Sequence, residues 1–303
     1  GRNVAIGSAA LYAQDAGADA YNVAIGYDAG QAVSTGIYNT LIGGKTGDAL
    51  TTGTRNVAIG YLALTTEDAA SYNVAIGVQA LQNQDGAEYN TAVGHGAGEA
   101  ITTGNQNTLI GGLAGDALTD GNTNVAVGYL ALSAETRGDR NVAVGRQALA
   151  SQNNTSDTDA YNIGVGYNAG LNVTTATNNT LVGGLAGDAL TTGSYNTVLG
   201  YTALGSEDTG SRNIAIGYAA LNSLDYNGSG YNVAIGMEAG KDISSGIKNT
   251  VIGGLAGNSG TNDLTTGENN IIIGYNAAAS AVDVDNEITL GDSNIATLRC
   301  QVQ

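Results

Sequence analysis

The pentad Asn-x-x-x-Gly recurs along the chain, and hydrophobic and small residues alternate inside it. Counting from the Asn, positions +1 and +3 hold Val, Ile, Leu or Thr, and position +2 is usually Ala. Because successive side chains of a strand point to opposite faces, each pentad predicts a short β-strand. We expect the larger residues, such as Val57 and Ile59, to fill the inside of a coil and Ala58 to face outward.

The spacing of the pentads predicts a solenoid. The Asn occurs sixteen times, and eleven of the fifteen intervals are 17 residues long, while the others are 19 or 21. Insertions of two or four residues lengthen a loop and leave the flanking strands in register. A fixed period of this length is typical of stacked repeats. We therefore predict an all-β protein, a parallel β-roll or β-solenoid of sixteen coils.

Two positions of the pentad have predicted structural roles. The Gly at +4 would provide a sharp bend or a close approach between backbones. The Asn tolerates a left-handed backbone, and its amide can bond to the same amide one coil away. The residues expected to form this ladder include Asn22 and Gly26, Asn39 and Gly43, Asn56 and Gly60, and Asn107 and Gly111.

A longer period lies above the single coil. The sequence Asn-Thr-Leu/Val-Ile/Val-Gly-Gly begins at residues 39, 107, 179 and 249, four coils apart each time. Two of the four coil classes carry Ala-Leu at +7 and +8. The other two carry Gly at +8 and a Val, Ile or Leu near +11, such as Val33 and Leu50. We interpret the chain as four tandem copies of a four-coil block that arose by duplication.

Composition and charge exclude several classes of partner. The chain has 47 Gly, no Pro, Trp or Phe, and a net charge of −17. An anionic surface of this strength does not suit binding to nucleic acid or to an acidic membrane, both of which need a basic patch. No apolar segment approaches the roughly 18–20 residues of a membrane span, so we expect no membrane insertion.

A single coil contains too little apolar surface to stand alone. It offers about three sizeable apolar side chains against the conformational entropy of 17 ordered residues. Since the outward positions were expected to be Ala and Gly, copies of the chain could pack closely around a common axis. This reasoning predicts a homo-oligomer held together through small-residue faces.

The segment Asn-Val-Ala-Ile-Gly-Tyr-x-Ala-Leu at residues 56–64, with Val at the fourth position at residues 124–132, resembles two related families. It is similar to the head repeats of trimeric autotransporter adhesins, and more similar to the 17-residue repeats of phage tail fibres. The resemblance covers residues 3 to about 278. It implies a homotrimer of parallel, left-handed β-rolls.

The C-terminal stretch has a second resemblance. Residues 286–303 look like the segment that leads into a self-cleaving chaperone at the end of many tail fibres. We therefore divide the chain into a repeat shaft, 1–278, and a C-terminal exit segment, 279–303, that leads toward a chaperone domain outside this sequence.

Candidate binding residues are tyrosines and loop residues. Seven of the sixteen tyrosines directly precede the Asn of a pentad and seven directly follow its Gly. Aromatic rings beside Asn and Asp could bind a sugar, although stacking of the rings between coils explains the same pattern. The candidates for receptor or glycan binding are Tyr12, Tyr21, Tyr27, Tyr61, Tyr129, Asp157, Tyr161 and Tyr226.

No metal or cofactor is predicted with any specificity. Asp48, Asp116 and Asp188 recur at one coil position and could form a Ca²⁺ site where three chains meet, but a solvated turn or helix-like cap is the favoured explanation. The single histidine, His95, occupies a variable surface position. The single cysteine, Cys300, is expected to be a reduced structural thiol.

These observations favour a structural and adhesive role over catalysis. The predicted function is the shaft of a phage tail fibre, located on the virion, which contacts other tail proteins and a glycan or protein receptor on the host. The alternatives are a segment of a trimeric autotransporter adhesin on a bacterial surface and, from another class, a polysaccharide depolymerase.

Overall fold

The computed structural model describes residues 1–66, 68–260 and 262–297, and within these residues the protein is all-β with no helix. Accordingly, none of these residues belongs to a helix that could cross a membrane. The chain divides into two compact units, Gly1–Asn162 and Ile163–Gln303. Each unit is a stack of coils, and each coil contributes one three-residue strand followed by turns.

The strands of the first unit are, in chain order, β1 (Val4–Ile6), β2 (Val23–Ile25), β3 (Thr40–Ile42), β4 (Val57–Ile59), β5 (Val74–Ile76), β6 (Thr91–Val93), β7 (Thr108–Ile110), β8 (Val125–Val127), β9 (Gly138–Asp139), β10 (Val142–Val144) and β11 (Thr158–Asp159). Those of the second unit are β12 (Ile163–Val165), β13 (Thr180–Val182), β14 (Thr197–Leu199), β15 (Ile214–Ile216), β16 (Val233–Ile235), β17 (Thr250–Ile252), β18 (Ile271–Ile273) and β19 (Ile288–Leu290).

The predicted parallel β-solenoid is confirmed. Neighbouring three-residue strands pair in parallel and in register, so that Val57, Ala58 and Ile59 lie beside Val74, Ala75 and Ile76. We call this sheet of three-residue strands the main ladder. It contains nine strands in the first unit and eight in the second.

One more coil forms than the pentad predicts. Strand β19 pairs with β18 although Glu287 replaces the Asn. The Glu287 N–H still donates to the side-chain oxygen of Asn270 at 2.9 Å. The hydrogen bond that joins this coil to its predecessor therefore needs only a backbone N–H on the later coil.

The predicted orientation of the strands is wrong. Ala58 and the other residues at +2 point into the coil and are buried, whereas Val57 and Ile59 at +1 and +3 are partly exposed. The interior is too narrow for two large side chains from each strand, because the turns on the opposite side already fill it with Leu and Asn. Alternation along the strand was predicted correctly, but its inner and outer faces were exchanged. The Ala residues at +7, such as Ala63, are also buried, so small residues do not form the outer surface.

Size complementarity inside the coil explains the four-coil block. The Gly-Gly coil, which recurs once in every four, carries a Leu or Val at +2, such as Leu109. A Cβ on Gly115, at +8 of the same coil, would lie 2.9 Å from a methyl group of Leu109, and one on Gly98 in the preceding coil would lie 2.7 Å from it. Glycine at +8 in two successive coils therefore makes room for one leucine. Ile101 and Leu118, at +11, fill the remaining space.

The buried Asn residues form a ladder, as predicted. The side-chain oxygen of Asn107 accepts the backbone N–H of Asn124 in the next coil at 2.9 Å. Its amide nitrogen donates to the carbonyl of Gly121 at 2.8 Å. The same pair of bonds recurs through much of each unit, so the polar interior is satisfied by contacts between adjacent coils.

The left-handed backbone lies one residue earlier than expected. The residue before the Asn has a positive φ, for example 60° at both Arg55 and Gln106, while the Asn itself does not. This conformation places the side chain before the Asn outside the coil and the Asn inside it. Asn is therefore required at its position for its two hydrogen-bonding groups and not for its backbone conformation.

The Gly at +4 permits a close backbone approach, as predicted. Gly111 has a φ of +137°, and a Cβ on it would lie 2.5 Å from the carbonyl oxygen of Gly128 in the next coil. The adjacent Gly112 differs, since a Cβ there would lie 3.5 Å from the ring of Tyr129, which is ordinary contact.

We expect Gly111→Ala to lower the free energy of unfolding by about 2–4 kcal/mol, because the added methyl group meets backbone and the φ is strained. Gly112→Ala is the matched control and should change it by less than about 1 kcal/mol. Chemical denaturation of the two variants measures the difference. Equal effects would contradict the role assigned to the +4 position.

Replacing Asn107 by Ala should cost about 2–5 kcal/mol, because the N–H of Asn124 and the carbonyl of Gly121 would both lose a buried partner. Gln106→Asn, at the neighbouring exposed position, keeps a residue that tolerates positive φ and should be nearly neutral. Denaturation midpoints of both variants test this. A small effect of Asn107→Ala would show that water replaces the lost bonds.

Candidate functional site

The residues before each Asn form an exposed column along each unit, and eleven of the sixteen are Tyr or Arg. We call it the −1 column. Its rings stack on one another: Tyr72 and Tyr89 lie 5.0 Å apart between ring centroids with an interplanar angle of 3°, and Tyr21 and Tyr38 lie 5.6 Å apart. Because neighbouring strands are about 4.8 Å apart, side chains at one coil position stack face to face.

Arginines in the −1 column lie over tyrosine rings. The guanidinium carbon of Arg55 is 5.4 Å from the ring centroid of Tyr38 and 5.5 Å from that of Tyr72. Arg212 lies between Tyr195 and Tyr231 in the same way, at 5.2 and 5.8 Å. Such cation–π contacts contribute about 0.5–1 kcal/mol each at exposed sites. They also cover the faces of the rings they touch.

A second tyrosine column follows the Gly of the pentads, at position +5. Four of its rings pack beside a coil that has a second glycine. A Cβ on Gly44 would lie 3.6 Å from the ring of Tyr61, and one on Gly112 would lie 3.5 Å from the ring of Tyr129. The Gly-Gly coils therefore leave room for the tyrosine of the next coil.

The glycan-binding candidates fall into three places. Tyr21 and Tyr161 lie in the −1 column, where a tyrosine or an arginine covers a ring face. Tyr27, Tyr61 and Tyr129 lie in the +5 column and are about half exposed.

The remaining candidates lie on loops. Tyr12 is 81% exposed, the most exposed tyrosine of the chain. Asp157 is exposed and forms an ion pair of 3.0 Å with Arg137, so its carboxylate already has a cationic partner. Tyr226 is only partly exposed. The structure thus divides these candidates among separate surfaces and does not bring them into one site.

The longer loops contain small ordered structures of their own. In the loop at 150–160, β11 pairs in parallel with β9 of the preceding coil, and in the loop at 222–230, Ser229 forms a bridge with Ser211. These loops therefore present defined surfaces, and they cover two glutamates that the pentad did not point to.

Glu135 and Glu207 are fully buried at the same coil position, +11. The carboxylate of Glu135 accepts six hydrogen bonds of 2.8–3.1 Å, four of them from backbone N–H groups. The other two come from the side chains of Gln152 and Asn154. This number of donors compensates a buried negative charge without a cation.

Glu207 has a much weaker set of donors. Its carboxylate accepts the N–H of Gly210 at 2.6 Å and that of Tyr226 at 3.2 Å. Leu224 and Tyr226 stand where Gln152 and Asn154 stand in the earlier coil, so the two side-chain donors are missing. Burial raises the pKa of Glu207, and the carboxylates of Asp208 and Asp225 raise it further.

Glu207, Asp208 and Asp225 are also the only three residues, among those described, whose metal-binding atoms lie close enough together to hold an ion, within 4.8 Å of one another. The cluster has no feature beyond its acidity that points to a cation. The buried Glu207 already uses its oxygens to accept backbone hydrogen bonds.

The chain matches no protein-family model, no curated protein and no solved structure.

The predicted calcium candidates are separate within one chain. Asp48 and Asp116 lie four coils apart in the first unit, and Asp188 lies in the second. All three are partly buried, and desolvation raises the pKa of each. One carboxylate oxygen of Asp48 and one of Asp116 is buried without a hydrogen-bond partner, which agrees with the direction of the shift. Cys300 lies outside the described residues.

Glu207→Gln should stabilise the protein at pH 7 by about 1 kcal/mol, since it removes a poorly compensated buried charge. The pKa of Glu207 is raised in the folded state, so the folded form gains a proton before the unfolded form does as the pH falls. Glu207 therefore makes the free energy of unfolding rise as the pH falls from 7 toward the usual pKa of a glutamate. The Glu207→Gln variant should lack this rise. Thermal denaturation at pH 5 and pH 7 measures it.

Glu135→Gln is the matched control at the same coil position. It should destabilise the protein at pH 7 by about 2–4 kcal/mol, because an amide nitrogen would then face N–H donors. If both substitutions shift the melting temperature in the same direction, the number of hydrogen-bond donors around each carboxylate does not determine how each glutamate affects stability.

Proposed function

We propose that this chain is the shaft of a host-attachment fibre of the phage tail-fibre type, a structural and adhesive protein that spans distance on a virion. The observation that carries the proposal is the regular stacking of coils. In each unit, successive strands pair in register, and the same Asn and Gly contacts join each coil to the next. Within each unit, a stack of this kind extends by about 4.8 Å for each coil.

The repeat supports the phage assignment through resemblance. The coil length of 17 residues and the Asn-Val-Ala-Ile-Gly-Tyr segment at residues 56–61 are similar to those of tail-fibre repeats. A host-attachment fibre must be soluble and resist nonspecific aggregation, which suits a net charge of −17.

The proposed functional unit is a homotrimer. The +1 and +3 side chains of the ladder are aliphatic or Thr and remain partly exposed in the single chain. Three chains of 30.2 kDa wound side by side would shelter this surface. Other tail proteins would contact the ends of the assembled fibre.

Attachment is proposed to use the loops, with a glycan or a protein on the host surface as receptor. Loops held on a rigid scaffold are a common place for recognition residues. Tyr12 and Tyr226 are the two tyrosines outside the columns, and both lie on loops that contain insertions. The long loop that carries Asp157 is a further candidate.

An antibody against this chain, coupled to gold, should decorate fibres on phage particles in negative-stain images. Purified chain at micromolar concentration should also reduce phage adsorption to host cells at least tenfold. A double variant, Tyr12→Ser with Tyr226→Ser, should weaken this competition, while Thr66→Ser, at an exposed turn, should not.

Label found on the surface of uninfected bacteria, with none on phage particles, would overturn the phage assignment in favour of a bacterial adhesin. If the antibody decorates fibres on phage particles but the purified chain does not reduce adsorption, the chain is a fibre shaft without an adhesive role.

A further inference from the structure

The outward surface of the main ladder is a continuous aliphatic face in each unit. Every +1 position holds Val, Ile or Thr, and every +3 position holds Ile, Val or Leu. These side chains are substantially exposed: Ile110 is 40% exposed and Leu199 is 49% exposed. A contiguous exposed apolar surface of this kind usually marks an interaction site. We define the ladder face as the +1 and +3 residues together with the −1 and +5 columns that border them.

The ladder face carries no negative charge in the sixteen pentad coils. None of the 27 acidic residues occupies a −1, +1, +3 or +5 position there. Six of the ten Lys and Arg residues do, namely Arg2, Arg55, Arg140, Arg146, Arg212 and Lys248. The strongly acidic character of the chain is therefore confined to its other surfaces, and the aliphatic face is left free of carboxylates.

The residue types of this face are those of protein interfaces. Fourteen of the sixteen tyrosines lie in its two bordering columns. Tyr and Arg are enriched in protein–protein interfaces and dominate their binding energy, whereas Asp, Glu and Lys are depleted from interface cores. In the pentad coils, the ladder face has many Tyr and Arg residues, a single Lys and no Asp or Glu.

The area of the face is sufficient for a stable complex. In the first unit it follows nine coils, which extend over about 40 Å at about 4.8 Å per strand. The six residue steps from −1 to +5 give a width of up to about 20 Å. The face of this unit alone therefore approaches the roughly 800 Å² that each partner contributes to a standard interface.

The periodicity identifies the partner. The face repeats its aliphatic and aromatic rows at every coil, so a partner must have the same rise to remain in register over many coils. A second copy of this chain has that rise. Identical faces can approach without repulsion between carboxylates, and Arg2 and Arg140 are each paired with an aspartate of their own chain, which reduces repulsion between cations.

A glycan fits this face less well. Sugars stack on the open face of an aromatic ring, but in the −1 column neighbouring rings and guanidinium groups lie over those faces. Tyr72 and Tyr89 stack 5.0 Å apart, and Arg55 lies over both Tyr38 and Tyr72. The −1 column therefore offers mainly ring edges and hydroxyl groups, which suit side-by-side packing against another protein surface.

We propose that copies of this chain associate through the ladder face, with the +1 and +3 side chains at the centre of the interface and the tyrosine columns at its borders. This inference rests on the homotrimer of the proposed function and replaces the small-residue interface predicted from the sequence. It assigns to the exposed aliphatic residues the role that was expected of Ala and Gly.

Two pairs of variants test the ladder face, one pair in each unit. Ile110→Glu and Leu199→Glu place a charge at +3, while Thr66→Glu and Thr192→Glu place the same charge at exposed turn positions outside the face. Sedimentation over a range of concentrations measures association, and far-UV circular dichroism verifies that each variant is folded. Ile110→Thr and Leu199→Thr serve as second variants, because threonine already occupies many outward ladder positions.

We expect the unmodified chain to sediment as an oligomer. Each glutamate at +3 should raise the concentration for half-dissociation at least 100-fold, and each threonine about tenfold, while the turn variants stay within about threefold of the parent. Tyrosine fluorescence provides a second readout because the chain lacks Trp and most of its tyrosines border the face. Acrylamide should quench it more strongly when the oligomer is diluted into monomers.

A parent chain that sediments as a monomer at 100 µM would overturn both the homotrimer and this interface. An oligomer that the +3 variants leave intact, or that the turn variants disrupt equally, would overturn the interface alone. Shielding of the tyrosines by added host glycan, with the chain monomeric, would assign the face to glycan binding instead. None of these results depends on whether the chain is found on phage particles, so this inference and the phage assignment fail separately.

Discussion

The fold depends on satisfying a polar interior that is only one side chain wide. A coil with a single three-residue strand must return through turns, and the turns expose carbonyl and N–H groups to the inside. The Asn of each pentad meets this demand, as Asn107 does by accepting from the N–H of Asn124, which opens the next coil, and by donating to the carbonyl of Gly121, which precedes that coil's entry. Since each bond crosses from one coil to the next, a coil gains its polar partners only when its neighbour is present. Stability is therefore a property of the stack.

The narrow interior also explains why the repeat is longer than one coil. In most coils the space between strand and turns is filled by a large aliphatic side chain from +8 or from +11. When a leucine such as Leu109 occupies +2, both that coil and the preceding one lose the side chain at +8. The four-coil block is then a packing unit, with large and small residues compensating one another across adjacent coils. Duplication of such a unit preserves the fit at every junction.

Much of the fold can be predicted from the sequence, because backbone register follows from periodicity. The interval of 17 residues, the Asn ladder and the close approach at Gly111 are all visible as recurring residue types. The sequence does not reveal which face of the strand points into the coil, because the alternation of large and small residues is the same in either orientation. The usual preference for large apolar residues in a core leads to the wrong choice here, since Ala58 is buried and Ile59 is partly exposed. The candidate binding residues were harder still, because exposure and stacking of rings depend on contacts between coils. Glu135 and Glu207 occupy the same coil position, and they differ through the side chains of the next coil and through Asp208, which stands where Thr136 follows Glu135.

The exchange of the inner and outer faces of the strands changes the physical basis of assembly. With small residues outside, copies would need to approach backbone to backbone, and a single larger residue would prevent contact. With Val, Ile, Leu and Thr outside, the surface itself supplies apolar area to be buried, and larger or smaller residues at +1 and +3 can be accommodated by local packing. The absence of carboxylates from the ladder face in the pentad coils is then the significant feature of the charge distribution. A chain with a net charge of −17 can repel other molecules through most of its surface and still associate through the one surface that carries no negative charge.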